Sequence, residues 1–230
     1  MQVRIMKQNN VNNPAVIMDY EAIRKEATRR EHEKRQAEKL EQVLQFIPLR
    51  FRGKTLADFR EDYSSQAHIK RISERYIATF PERLAKGNCL VFHGKPGTGK
   101  TMLSLLMYEA IARSSFTVGY ESSLQFLRRF REKEFESDAA FSNLLDSYLR
   151  KSLLIIDEVT EGVGKSNFPA DWERKLLFTL INSRYEKNLC TIVISNRSKE
   201  EMIERLGEPI VDRLSENGVF LAFNWNSYRK

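Results

Sequence analysis

GKPGTGKT, at residues 94–101, limits what this chain can fold into more than any other part of it. The run matches GxxxxGK[ST] at every fixed position: Gly94, Gly99, Lys100 and Thr101. An apolar stretch, CLVFH at 89–93, precedes it, and a helix-forming stretch over 100–112 follows. Strand, glycine-rich loop and helix in that order make a phosphate cradle. Gly94, Gly97 and Gly99 let the backbone wrap an anion without Cβ clashes. Lys95, Pro96 and Thr98 carry the chain around it. Loop N–H groups and the helix N-terminus supply partial positive charge. Lys100 is placed to reach the β- and γ-phosphates, and Thr101 to offer its hydroxyl to Mg²⁺. The expected ligands are ATP or ADP and Mg²⁺.

LLIIDE at 153–158 supplies the second half of such a site. Four apolar residues read as a buried central strand that delivers Asp157 to the carboxyl edge of a sheet, where ligands bind in open α/β folds. There Asp157 can hold the Mg²⁺ shell with Thr101. Glu158 can polarise an attacking water, because phosphoryl transfer needs a positioned water more than covalent chemistry. TIVISN at 191–196 is another strand with a polar tip, and Ser195 or Asn196 would stand beside the γ-phosphate. Arg213, in EPIVDRL, reads as a surface charge or as a finger reaching a neighbouring subunit's nucleotide.

Short apolar runs alternate with amphipathic ones. Strands are expected over 89–93, 117–121, 153–156, 189–195 and 219–223, and helices over 100–112, 123–135, 172–185, 199–206 and 209–214. Leu124, Leu127 and Phe130 would form the inward side of the second of these helices. Alternation of this kind implies an α/β fold: a parallel sheet flanked by helices on both faces.

The first 50 residues differ. Residues 1–18 are Asn-rich and aperiodic, and read as loose. From 19 to about 46 there is no Gly or Pro, and Glu21–Lys25, Glu26–Arg30 and Glu31–Arg35 are spaced as helical ion pairs. Apolar residues are scarce between 28 and 38, so that stretch is a solvated helix or one ordered by a partner. Residues 1–60 carry 13 Lys/Arg against 8 Asp/Glu, most of the chain's net +7. The domains expected are a basic, helical, partner-binding segment over 1–50 and a nucleotide-binding domain over 51–230. No run of 18 apolar residues exists, so no membrane partner is expected, and Cys89 and Cys190 read as buried, reduced thiols of a cytoplasmic protein.

LLIIDEV (153–159), SNRSKEEMIERLGEPIVDRL (195–214) and FNWNSYR (223–229) resemble the AAA+ family, and within it the DnaC-like replicative helicase loaders, with the IstB transposition helpers close by. The likeness covers about residues 47–230. It implies an AAA+ type P-loop NTPase core that hydrolyses ATP slowly, as a switch, and assembles as a homo-oligomer on single-stranded DNA. It also implies an N-terminal helical segment that grips a DnaB-like replicative helicase. It gives Lys100 and Thr101 to nucleotide and Mg²⁺, Asp157 and Glu158 to the second Walker motif, Asn196 to sensor 1, Arg213 to the arginine finger and Arg229 to sensor 2. Pro209 stands where DnaC-like proteins often carry Arg, which removes one basic contact across the subunit boundary. An IstB-like helper and a nucleotide-gated adaptor with negligible hydrolysis are the alternatives. Phe223, Trp225 and Tyr228 read as packing of the last strand rather than base-stacking platforms. In LRRFREK (127–133), Arg128, Arg129, Arg131 and Lys133 surround Phe130, as a DNA contact or a solvated helix face.

Overall fold

A computed structural model describes residues 14–164 and 169–229. The chain forms two compact units, Met1–Gln42 and Val43–Lys230.

The first unit contains most of helix α1, Pro14–Gln45. Residues 14–18, read from sequence as loose, are helical. Proline suits a first helical position, where its fixed φ is already right and its missing N–H costs nothing. Residues 1–13 lie outside the described residues. Arg30 pairs with Glu26 and Arg35 with Glu31, each at 2.9 Å along the helix surface. The expectation of a basic helix needs correction. Residues 14–45 hold 7 Lys/Arg and 7 Asp/Glu, and the excess sits at Arg4, Lys7, Arg50, Arg52, Lys54 and Arg60.

In the second unit, Val43, Leu44 and the buried Ile47 join the core, so residues that composition grouped with the helical segment pack with the sheet domain. The order is then α2 (Ser64–Ala78), α3 (Phe80–Ala85), β1 (Cys89–Gly94), α4 (Lys100–Arg113), β2 (Val118–Ser122), α5 (Ser123–Glu136), α6 (Asp138–Leu149), β3 (Leu153–Asp157), α7 (Val159–Gly162), α8 (Ala170–Glu186), β4 (Cys190–Ile194), α9 (Lys199–Leu206), α10 (Glu208–Glu216) and β5 (Gly218–Phe223). The sheet runs β2-β3-β4-β1-β5 with every pair parallel. Parallel neighbours need crossovers, and the helices supply them on both faces. Strand alternation therefore builds two cores. Leu90, Phe92, Ile155 and Ile192 face α2 and α4, while Val91, Leu154, Ile156 and Val193 face α5, α8 and α10. Each such side chain, fully buried, contributes about 1.5–3 kcal/mol.

On α5 the buried face is Ser123, Phe126, Leu127 and Phe130. Leu124, expected inward, is only half-buried, and Phe126 takes its place because it stacks on Phe130 at 4.7 Å and Tyr148 at 5.3 Å. Helices α2, α3, α6 and α7 had no counterpart in the sequence reading. Cys89 and Cys190 are buried free thiols, and burial pushes Cys190 up to about 11.

Arg184 is wholly buried among carbonyls. It donates to Tyr148 O (2.7 Å), Lys151 O (3.1 Å), Cys190 O (2.5 Å) and Thr191 Oγ1 (3.0 Å). It thereby ties the end of α6 and the entries of β3 and β4 together. Acceptors left unsatisfied in such a place cost about 1–3 kcal/mol each.

Candidate nucleotide site

Because β3, β4 and β1 are neighbours, their carboxyl ends lie side by side. β1 runs into the glycine-rich loop, β3 ends at Asp157, and Asn196 follows β4. A cleft of about 280 Å³ opens there, lined by Gly97, Gly99, Lys100, Thr101, Asp157, Glu158 and Asn196, together with Arg50, Phe51, Tyr228 and Arg229. A larger cavity, about 370 Å³, lies beside the start of β5 between Ile72, Tyr76 and Val219, and holds none of these groups.

The loop is built for a tight turn. Gly97 has φ 76°, and a Cβ there would lie 2.1 Å from Ser227 Oγ. Thr98 is buried and its hydroxyl donates to Lys95 O at 2.8 Å. Lys100 is 4% exposed, and its ammonium donates to Gly94 O at 2.8 Å and Lys95 O at 2.7 Å. Two of its three N–H donors are thus used, and one remains for a ligand oxygen. Desolvation lowers its pKa to about 8, against the pull of Asp157 and Glu161.

Asp157 is buried. One of its oxygens accepts from Thr101 Oγ1 at 2.9 Å and from Tyr120 OH at 2.8 Å, and the other from the Glu158 N–H at 2.8 Å. Burial raises its pKa, and these three donors oppose the rise. A hydroxyl and a carboxylate in contact are hard oxygen donors of the kind Mg²⁺ takes beside substrate phosphates. Among the described residues no group of three or more His, Cys, Asp or Glu could hold a metal ion.

Glu158 has left-handed backbone, φ 56° and ψ 42°, an uncommon conformation for a residue with a side chain. Ser123 Oγ, in the first turn of α5, donates to its carbonyl at 2.6 Å. Neither Tyr120 nor Ser123 was singled out from sequence, since each acts through the register of β2 on β3, where Tyr120 lies opposite Ile155 and Ser122 opposite Asp157. Of the two residues expected at the tip of β4, Asn196 reaches the cleft. Ser195 does not: it is buried, with its hydroxyl against Thr160 Oγ1 at 2.7 Å.

Arg213 lies outside the cleft lining of its own chain. On α10 it donates to Asn182 Oδ1 at 3.1 Å and sits over the Tyr185 ring at 5.1 Å. Along α5, Arg129 faces Glu121 at 3.6 Å, and Arg131 and Lys133 pair with Glu134 and Glu136. Arg128 is exposed. Phe223 and Trp225 are buried and stacked at 4.9 Å, as expected for core packing, and the half-buried Tyr228 accepts from Gln66 Nε2 at 2.7 Å.

A glycine loop between β1 and α4, an acidic strand end beside it and helices on both faces of a parallel sheet define an ATP-binding P-loop protein with the AAA+ fold. Over residues 5–230 the chain matches the family described as IstB-like ATP binding protein, and it belongs to that family. The replicative helicase loader DnaC of Escherichia coli (strain K12) is 25% identical over 173 residues, 75% of this chain and 67% of that protein. The ATP-binding protein of insertion sequence IS232 from Bacillus thuringiensis subsp. berliner is 30% identical over 181 residues, 75% of this chain and 65% of that one. Among solved structures, the DnaC helicase loader superposes with TM-score 0.66 at 24% identity, over 76% of this chain and 99% of the other. The replication initiator DnaA bound to AMPPCP and single-stranded DNA gives 0.65 at 19% identity, over 79% and 52%.

Proposed function

We propose that this protein is an ATPase that loads a DnaB-like hexameric replicative helicase onto single-stranded DNA, using slow hydrolysis as a switch. The observation that carries the reading is the gathering of Lys100, Thr101, Asp157, Glu158 and Asn196 round one cleft in a chain related to DnaC. The loop N–H groups and Lys100 hold the phosphates. Thr101 and Asp157 would hold Mg²⁺, which would supply positive charge against the phosphate oxygens. Glu158 accepts a hydrogen bond from the attacking water and aims it at the γ-phosphate, with Asn196 beside it. Arg213 serves the neighbouring subunit's nucleotide, so the working form is an oligomer, and we place it in the cytoplasm. Among the described residues no helix is long and apolar enough to cross a membrane.

The N-terminal unit is assigned to the helicase, because an exposed helix with balanced charge and little apolar surface over its middle has no core of its own to build. Deletion of residues 1–42 is expected to leave an ATP-binding unit that no longer co-purifies with the helicase. Retention of the helicase by the truncated protein refutes this assignment. The relative from an insertion sequence favours a second reading, a transposition helper with the same ATPase. Capture of a transposase and not the helicase by the full chain would establish it.

Single-stranded DNA is assigned to the exposed side of α5. Three of its four cations already face carboxylates, so Arg128 is the group left for a phosphate. Arg128→Glu is expected to weaken oligonucleotide binding and to lower the salt slope by about 0.7 for each phosphate no longer neutralised. An unchanged slope removes DNA from this face.

A further inference from the structure

Residues 224–229 fold back across the phosphate loop and meet it at three successive residues, Gly97, Thr98 and Gly99. The Tyr228 N–H donates to Gly97 O at 2.8 Å, and the Trp225 indole N–H donates to Thr98 O at 3.1 Å. Ser227 occupies the space a Cβ on Gly97 would need, and the Tyr228 ring lies 3.2 Å from where a Cβ on Gly99 would stand. Trp225 is itself fixed, buried between Phe223 at 4.9 Å and Phe59 at 6.4 Å.

A trans peptide plane points its C=O and the next N–H in opposite directions. A donor that holds the Gly97 carbonyl on the tail side therefore aims the Thr98 N–H away from the tail. The Trp225 indole does the same for the Gly99 N–H through the Thr98 carbonyl. Neither of these two N–H groups has an acceptor among the described residues. Two donors aimed into the loop without a partner are what an anion needs.

We propose that residues 224–229 are a strap that presets the phosphate-binding N–H groups of Thr98 and Gly99, with Trp225 and the Tyr228 backbone as positioning residues. The proposal rests on the reading of 94–101 as the ATP site. Without the strap those two peptide planes must be ordered by the nucleotide itself, at the expense of affinity. The expected effect is on binding, because both strap hydrogen bonds end on carbonyls of the phosphate loop.

Trp225→Phe keeps the stacked ring and removes the N–H. It is expected to weaken ATP binding about five- to tenfold, the worth of one neutral hydrogen bond. Its kcat at saturating ATP should be unchanged, whereas the melting temperature of the nucleotide-free protein should fall modestly, because a buried carbonyl loses its donor and the smaller ring leaves space. A second pair removes the other donor: Tyr228→Pro lacks the N–H, whereas Tyr228→Leu keeps it, and only the proline variant should lose additional affinity. Wild-type affinity in Trp225→Phe, or equal affinities in the two Tyr228 variants, overturns the strap. So does a fall in kcat at saturating ATP as large as the loss of affinity. Lys100→Ala, run in parallel, separates the two readings. If it weakens binding while Trp225→Phe does not, the site stands and the strap falls.

Discussion

Lys100→Ala should lower ATP affinity by about ten- to a hundredfold. Charge-assisted hydrogen bonds to phosphate in a desolvated loop contribute about 1.5–3 kcal/mol each, and every 1.4 kcal/mol is about a tenfold change. Titration of the variant with ATP checks this, and equal affinity in variant and wild type overturns the site. The same residue gives the site a pH dependence. Its pKa, about 8 in the folded chain, lies below the 10.5 of a free lysine. Between those values the unfolded chain binds more protons than the native one, so this group's contribution to stability rises with pH across that window. Affinity moves the other way, because the phosphates need the ammonium. ATP binding should weaken as pH rises through about 8 while the nucleotide-free protein loses no stability from this group.

Glu158→Gln and Arg213→Ala should each bind ATP and each lose turnover, the latter by roughly a thousandfold or more. Mixing distinguishes them. Combined with Lys100→Ala, the Arg213 variant can place its intact Lys100 site against a neighbour with an intact Arg213, and ATPase activity should return. The Glu158 variant mixed in the same way should stay silent, because no neighbour replaces a carboxylate inside the cleft. Wild-type hydrolysis by Glu158→Gln removes that residue from catalysis. Failure of the Arg213 mixture to recover, with co-assembly confirmed, removes the finger.

Lys100, Asp157 and Asn196 were legible in the sequence because each ends or follows a strand whose apolar run announces it. Tyr120 was not, because a tyrosine in VGYES says nothing about Asp157 until β2 is set in register on β3. Ser123 was hidden for the same reason: its reach to the Glu158 carbonyl exists only where α5 leaves the sheet edge. The role of Trp225 was legible only as packing, since the stacked ring is a local pattern and the indole bond to Thr98 spans most of the domain. Helix α6 escaped because half-buried Phe141, Leu144 and Leu145 give it a weak stripe, although Ser137 caps it through the Ala140 N–H at 3.1 Å. The charge of α1 was misjudged because a count over 60 residues merged a neutral helix with basic flanks.

The sheet order also sets the sequence in which this molecule can acquire its site. β1, which carries the phosphate loop, pairs only with late partners: Leu90 with Ile192, and Cys89 with Gly218. Pairings so far apart in the chain close slowly, after local helices have formed. β2 and β3 are nearer in the chain, Val118 pairing with Leu153, so bringing Asp157 to its place closes a shorter loop than pairing β1 does. A fragment ending before β4 would contain every residue of both Walker motifs and still leave β1 as an unpaired, aggregation-prone edge. Nucleotide stabilises the native state by mass action, and the cleft it needs is complete only when β1 lies beside β4.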